Sequence, residues 1–245
     1  LDGDRGIYTA DQLNAAVRRA RRYTPKPRMA VIEQTSNSAG GTIWSLQAVH
    51  EVASVAQKKN LILHMDGARL LNAVVETGVS ARDFAEPFDS LWVDLSKGLG
   101  CPIGAMLAGS ADFIEHAWQW KQRMGGAMRQ AGIVAAAGVY ALEHNVDRLA
   151  EDHQNARLLA ELLGNVPGIA VEEGIATNMV FFSIEAMGLT AEEFRDRLID
   201  EAGIRIGAND LYRMRAVTHL DISSADIKRT AVSVHDLARS ILVSC

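Results

Sequence analysis

Cysteine is scarce: Cys101 and Cys245 are the two in 245 residues. They have no framework spacing, which excludes a disulfide scaffold and fits a reducing compartment, so a cytoplasmic location is expected. No apolar run reaches the ~20 residues of a membrane span. No signal peptide precedes the first charged residues. Basic charge is also short, with 25 Lys and Arg against 30 Asp and Glu and a net charge of −5. No global positive field exists to draw in nucleic acid or an anionic membrane. Internal repeats and low-complexity tracts are absent. An initiating Met is absent too: "LDGDRG" reads like the inside of a loop. The expectation is a later part of a longer protein, or one product of a cleaved one.

What the chain does have is apolar residues, 48% of the total. That is enough for a sizeable core and argues against disorder. The length suits one large α/β domain, alone or with a smaller one.

Apolar periodicity alternates between strand and helix. "TADQLNAAVRRARR" (9–22) reads as a helix with Thr9 as N-cap and arginines toward its C-terminal end. "RMAVIEQT" (28–35), "LILHMD" (61–66), "SLWVDLS" (90–96) and "AMLAG" (105–109) read as strands. Between and after them come helical stretches at 45–60, 68–78, 110–124 and 130–145. This alternation predicts a largely parallel sheet with helices on both faces. Ligands of such sheets bind beyond the carboxyl ends of the strands. Glu33, His64, Asp66, Ser96 and Lys97 all fall at those ends. The last third differs: a long helix (147–164), short strands, a helix and a closing helix from about Ser223 predict a small α+β domain. The expected division is 1–148 and 149–245.

A lysine at one strand end, an aspartate at the next and arginines nearby suit a carbonyl-bearing cofactor. An amine can form a Schiff base. A carboxylate keeps a pyridine nitrogen protonated, so that the ring becomes an electron sink. An arginine fork matches an amino-acid carboxylate. These are the needs of pyridoxal phosphate chemistry.

"HMDGARLLNA", "DLSKGLGCPIGAMLAG", "RMGGAMRQAG", "RLAEDHQNARLLAELL" and "TNMVFF" follow in that order over nearly the whole chain. In this the sequence resembles the threonine aldolase family of fold-type I pyridoxal phosphate enzymes. The H-x-D-G-A-R and S-K-G-L-G-x-P blocks are the specific ones. The resemblance implies an aspartate-aminotransferase-like large domain with a mostly parallel sheet, here the pyridoxal-phosphate-binding part of 1–148, and a small C-terminal domain. It implies pyridoxal 5'-phosphate as cofactor and no metal. It implies aldol cleavage of β-hydroxy-α-amino acids (L-threonine, L-allo-threonine or phenylserine-like) to glycine and an aldehyde. A β-eliminating lyase or an amino-acid racemase on the same fold is the alternative. So is a non-catalytic fragment that needs a complementary N-terminal chain, because the family's N-terminal phosphate-binding turn and ring-stacking histidine have no counterpart here. The expected partners are a small amino-acid substrate and further copies of the chain in a tetramer or dimer, with or without a separate N-terminal fragment.

Residue by residue, Lys97 matches the Schiff-base lysine; the alternative is a solvated loop lysine. Asp66 matches the carboxylate on the pyridinium nitrogen, against a plain helix N-cap. Lys97 and Asp66 are the catalytic pair this implies. Arg69 matches the arginine beside the ring, for the cofactor's phenolic oxygen or the substrate carboxylate, against a helix-surface arginine. Arg215 matches the arginine that grips the substrate carboxylate. Arg213 rivals it, since period two puts both on one face. Arg129, after "GGAM", matches a phosphate-side arginine. Gln122, between Lys121 and Arg123, departs from a lysine frequent in the family and leaves a second phosphate contact unassigned. Glu33 and Asn37 match an E-x-T-x-N loop near the cofactor, with a turn-forming Asn as the alternative. His64 reads as structural, and His153 and His219 as capping or solvent-facing.

Two motifs are set aside. "GLGCPIG" follows a lysine and spaces its glycines G-x-G-x-x-x-G, unlike a dinucleotide loop. "RRARRYTPKPR" holds six basic residues in eleven but reads as a solvated helix end.

Overall fold

The computed structural model describes residues 1–17 and 22–244. The chain divides into two compact units, Leu1–Asp147 and Arg148–Cys245.

The first unit is built on a four-stranded sheet in the order β1 (Met29–Glu33), β2 (Ile62–Asp66), β3 (Ser90–Asp94), β4 (Ala105–Gly109). β1, β2 and β3 run parallel, and β4 returns antiparallel beside β3. The sheet is therefore mixed but mostly parallel. Its helices are α1 (Ala10–Ala16), α2 (Leu46–Lys58), α3 (Leu70–Thr77), α4 (Ala81–Ala85), α5 (Ala111–Arg123) and α6 (Gly132–His144). Thr9 caps α1 in a reciprocal capping box with Gln12, as its position before an apolar-periodic run predicts. Arg18, Arg19 and Arg21, which the sequence places in that helix and in the basic cluster, lie outside the described residues. α3 ends at Gly78, which takes the left-handed φ of 72° a helix C-terminus favours. The short α4 has no counterpart among the helices expected from sequence; its buried Phe84 holds it to the core.

One face of this sheet carries the core. Ala30, Ile32 and Leu63 pack with Val49, Val52 and Ala56 of α2 and with Tyr8, Leu13 and Trp44. Met65 packs with Leu70, Ala73 and Phe84. Side chains alternate along a strand, so Met29, Val31 and Ile62 point the other way, and they are 50%, 46% and 44% exposed. The expectation of helices on both faces therefore fails here: among the described residues that second face stays open around these side chains. α5 has no buried side chain, and every residue of β4 is exposed.

The second unit pairs four antiparallel strands, β5 (Ala170–Val171), β6 (Met179–Ser183), β7 (Gly207–Ala208) and β8 (Arg213–Val217), in the order β5-β6-β8-β7. Three helices accompany them: α7 (Leu149–Gly164), α8 (Ala191–Ala202) and α9 (Ser224–Ser244). Phe182, Ile184, Phe194, Leu198, Met214 and Val234 are among the side chains that close its core. His153 departs from expectation. It is 1% exposed inside α7, because its position falls on the helix face buried with Ala156 and Leu163. His219 is half-exposed beside Asp221.

Candidate active site

Register decides which polar groups meet on the sheet. Glu33 lies opposite Asp66, and Asp66 opposite Trp92. Residues paired across a sheet share a face, and so do residues two apart on one strand. Glu33, Asp66, Trp92 and Asp94 therefore all stand on the open face, at the carboxyl ends of adjacent strands. His64 and Ser90, one register pair earlier, share it; His64 Nδ1 lies 2.8 Å from Ser90 Oγ.

Lys97 reaches that face from the turn after β3. Its Nζ lies 3.1 Å from Asp94 Oδ2 and 5.2 Å from the centre of the Trp92 ring. The glycine-rich stretch behind it makes a tight return into β4. Gly100 N–H donates to Lys97 C=O at 2.9 Å, Cys101 N–H to Leu95 C=O at 2.9 Å, and Leu95 N–H to Gly104 C=O at 3.0 Å. Gly100 and Gly104 have φ values of 74° and 120°, which only glycine adopts without strain. The glycines of "GLGCPIG" thus serve to reverse the chain beside Lys97.

Asp66 accepts the Ala68 N–H at 3.1 Å through Oδ1. It does not cap α3, whose N-cap residue is Arg69. The arrangement depends on Gly67. A Cβ there would sit 2.5 Å from the Trp92 carbonyl oxygen, the same oxygen that accepts the Gly67 N–H at 3.0 Å. Arg69 Nη1 donates to Asn37 Oδ1 at 3.4 Å, and the Asn37 N–H donates to Glu33 Oε2 at 3.1 Å. The E-x-T-x-N loop is in this way tied to the helix that carries Arg69.

Arg129 stands exposed in the turn ahead of α6. Lys121 and Arg123, around Gln122, lie over the rings of Trp118 and Trp120 at 4.7 and 5.2 Å. In the second unit the structure separates the two rival arginines. Arg213 forks onto Glu172, Nε to Oε1 at 2.5 Å and Nη2 to Oε2 at 2.8 Å, and stacks 3.8 Å over the Phe181 ring. Arg215 is half-buried, with Nη2 3.6 Å from Met179 Sδ. Burial holds its guanidinium below the usual arginine range.

Sequence reasoning missed Trp92 and Asp94. The signal was present in "WVDLSK": alternation puts Trp92 and Asp94 on Asp66's face, and Asp94 lies three residues before Lys97. Partial burial works against the Asp94 carboxylate. The Ser96 hydroxyl and N–H, both 2.7 Å from Oδ1, and the Lys97 ammonium outweigh it and hold its pKa below the usual aspartate value.

The donor set tests the fit of a cofactor. An amine, a carboxylate and an aromatic ring gather at the carboxyl edge of one open sheet face, with the Arg69 guanidinium on the adjoining helix. They fit an aldehyde-bearing pyridine better than a metal; among the described residues no cluster of three or more His, Cys, Asp or Glu could hold an ion.

The family model described as beta-eliminating lyase matches residues 1–186. The chain belongs to the beta-eliminating lyase family. Curated relatives that it matches are named as threonine aldolases. It is 37% identical over 229 residues to low-specificity L-threonine aldolase 1 of Arabidopsis thaliana, covering 92% of this chain and 64% of the relative. It is 37% identical over 208 residues to low specificity L-threonine aldolase of Escherichia coli K12, covering 84% and 59%. The chain thus spans about three fifths of the length of these curated relatives. Among solved structures, threonine aldolase of Leishmania major superposes with a TM-score of 0.76 at 18% identity, covering 95% of this chain and 68% of that one. At that identity the likeness speaks for the fold: a fold-type I architecture.

Proposed function

We propose that the protein cleaves β-hydroxy-α-amino acids, L-threonine, L-allo-threonine or a phenylserine-like substrate, to glycine and an aldehyde, with pyridoxal 5'-phosphate as cofactor. The observation that carries this is the meeting of Lys97 and Asp66 at neighbouring strand ends on one open sheet face. The relatives named for this activity support it.

When bound, pyridoxal phosphate supplies a protonated ring that takes up the electron pair of the broken Cα–Cβ bond. The chain's own residues do the rest. Lys97 would hold the cofactor's carbonyl carbon through its amine. Asp66 keeps a proton on the ring nitrogen through its negative charge. Arg69, steadied by Asn37, presents a cation to the phenolic oxygen or the substrate carboxylate. Arg129 is assigned to the phosphate and Arg215 to the substrate carboxylate, both on the sequence resemblance. The β-hydroxyl gives up one proton and Cα of glycine gains one, so the reaction is balanced without an oxidant.

Assembly into a homotetramer or dimer is part of the same proposal, and exposed Trp118, Trp120, Ile133 and Tyr140 on α5 and α6 support it. A cytoplasmic location rests on the cysteine content. Among the described residues no helix is long and apolar enough to cross a membrane.

The test is a product assay with L-threonine and pyridoxal phosphate, alongside Lys97→Ala. Glycine with acetaldehyde is expected, and Lys97→Ala should lose at least ~10³-fold in kcat. Ammonia with a keto acid would instead establish the β-eliminating reading that the family name favours.

A further inference from the structure

Asp94 contributes a negative charge beside the amine that has to become a nucleophile. Its carboxylate is fixed from two sides. Ser96 donates its N–H and its hydroxyl to Oδ1, both at 2.7 Å, which leaves Oδ2 for Lys97 Nζ at 3.1 Å. The Trp92 ring offers the ammonium a second attraction from below, at 5.2 Å. The Asp94 side chain is 13% exposed and that of Lys97 36%, so water screens the pair only in part.

We propose that Asp94 is a positioning residue that parks the Lys97 ammonium over Trp92, so that the ion pair must open before Lys97 can take up an aldehyde. This rests on the reading of Lys97 as the cofactor-holding amine. Condensation with an aldehyde needs the lone pair of Nζ. The ammonium proton leaves, the C–N bond forms, and the carbonyl oxygen departs as water. An amine held between the Asp94 carboxylate and the Trp92 ring must first leave both partners, so the pair slows loading. The ion pair also fixes where the amine waits, at the carboxyl edge of β3.

Other charged or titratable groups share the loop and the sheet face, His64 on β2 among them. The Cys101 thiol lies in the same loop and is pushed up by burial and by Asp94's charge. Asp66 stands across from Trp92 on β2, and Glu33 beyond it on β1. β4 places Ala105 opposite Asp94, and α6 brings Gly138 against Leu95; neither is charged.

The experiment is trace acetylation of the intact polypeptide with acetic anhydride before any cofactor is added. Mass spectrometry reads the rate at Lys97 relative to Lys121, an exposed lysine on α5. Asp94→Asn should raise the ratio roughly two- to fivefold at neutral pH, the span of a partly exposed ion pair. Asp94→Glu should stay near the wild-type ratio. The difference should close at pH values above the ordinary lysine range of about 10.4. Equal ratios in wild type and Asp94→Asn would overturn the proposal. So would a difference that persists unchanged at high pH, since that would report steric access rather than charge. If Asp94→Asn does not fold, the wild type alone decides: the ratio should rise between low salt and about 1 M salt as the pair is screened, and a flat ratio overturns the proposal. A parallel sample with pyridoxal phosphate and borohydride tests the underlying reading. An adduct on another lysine would overturn that reading and this inference with it, while the acetylation ratio would still report whether the ion pair exists.

Discussion

Arg213 and Arg215 lie two residues apart on one face of β8, yet Arg213 is clamped by Glu172 and the Phe181 ring while Arg215 rests half-buried against Met179. The first has its charge answered at 2.5 and 2.8 Å by a carboxylate of its own unit. The pair predicts opposite phenotypes. Arg213→Ala should cost about 1 kcal/mol of stability and leave KM nearly unchanged, because the pair is partly solvated. Arg215→Ala should raise KM for the amino acid by about 10- to 100-fold, the worth of a charged hydrogen-bonded contact, with little loss of stability. Thermal melts and steady-state kinetics on the two variants check this.

Gly67 admits no side chain. A methyl group there would press on the Trp92 carbonyl oxygen at 2.5 Å, and that oxygen belongs to the backbone of β3. Gly67→Ala should destabilise the protein by about 1–3 kcal/mol. It should also weaken pyridoxal phosphate retention, because Asp66 is the preceding residue. Denaturant melts and cofactor titration by absorbance read the two effects.

Gln34 is fully buried and bonds both backbone groups of Trp44: its Nε2 donates to the C=O at 3.1 Å, and its Oε1 accepts the N–H at 3.0 Å. Gln34→Leu would strand two buried backbone groups. A loss of about 2–4 kcal/mol is expected, the cost of leaving both unsatisfied. Chemical denaturation checks it, and a change under about 0.5 kcal/mol, within the range of an ordinary surface substitution, would contradict it.

Tyr8 links stability to alkaline pH. Burial raises its phenol from 10.0 to about 12, with the hydroxyl donating to the Val31 C=O at 2.9 Å and the ring edge-on to Trp44. The folded state keeps the proton that the unfolded state releases first. Stability contributed by Tyr8 is therefore whole below pH 10 and falls as pH rises toward 12. The stability difference between wild type and Tyr8→Phe should stay constant up to about pH 10, then shrink by roughly 2–3 kcal/mol by about pH 12. Urea melts across that range check the sign.

The sequence alone placed the four strands of the first unit, to within two residues at each end. Period-two alternation, glycine and proline punctuation and capping residues act over a few neighbouring positions, so β4 and the caps at Thr9 and Gly78 were legible in the chain. The same locality placed Asp66 and Lys97 at adjacent strand ends and brought out the threonine aldolase resemblance. Only the tertiary structure decided what depends on residues far apart. It turned β4 antiparallel, left one sheet face open, and buried His153. It chose Glu172, 41 residues away, as the partner of Arg213. It put Trp92 beneath Lys97 and Gln34 against the backbone of Trp44. Register, burial and ion pairing are properties of surfaces that meet in space. A local pattern fixes which face of an element a residue occupies, and the packed fold decides what that face meets.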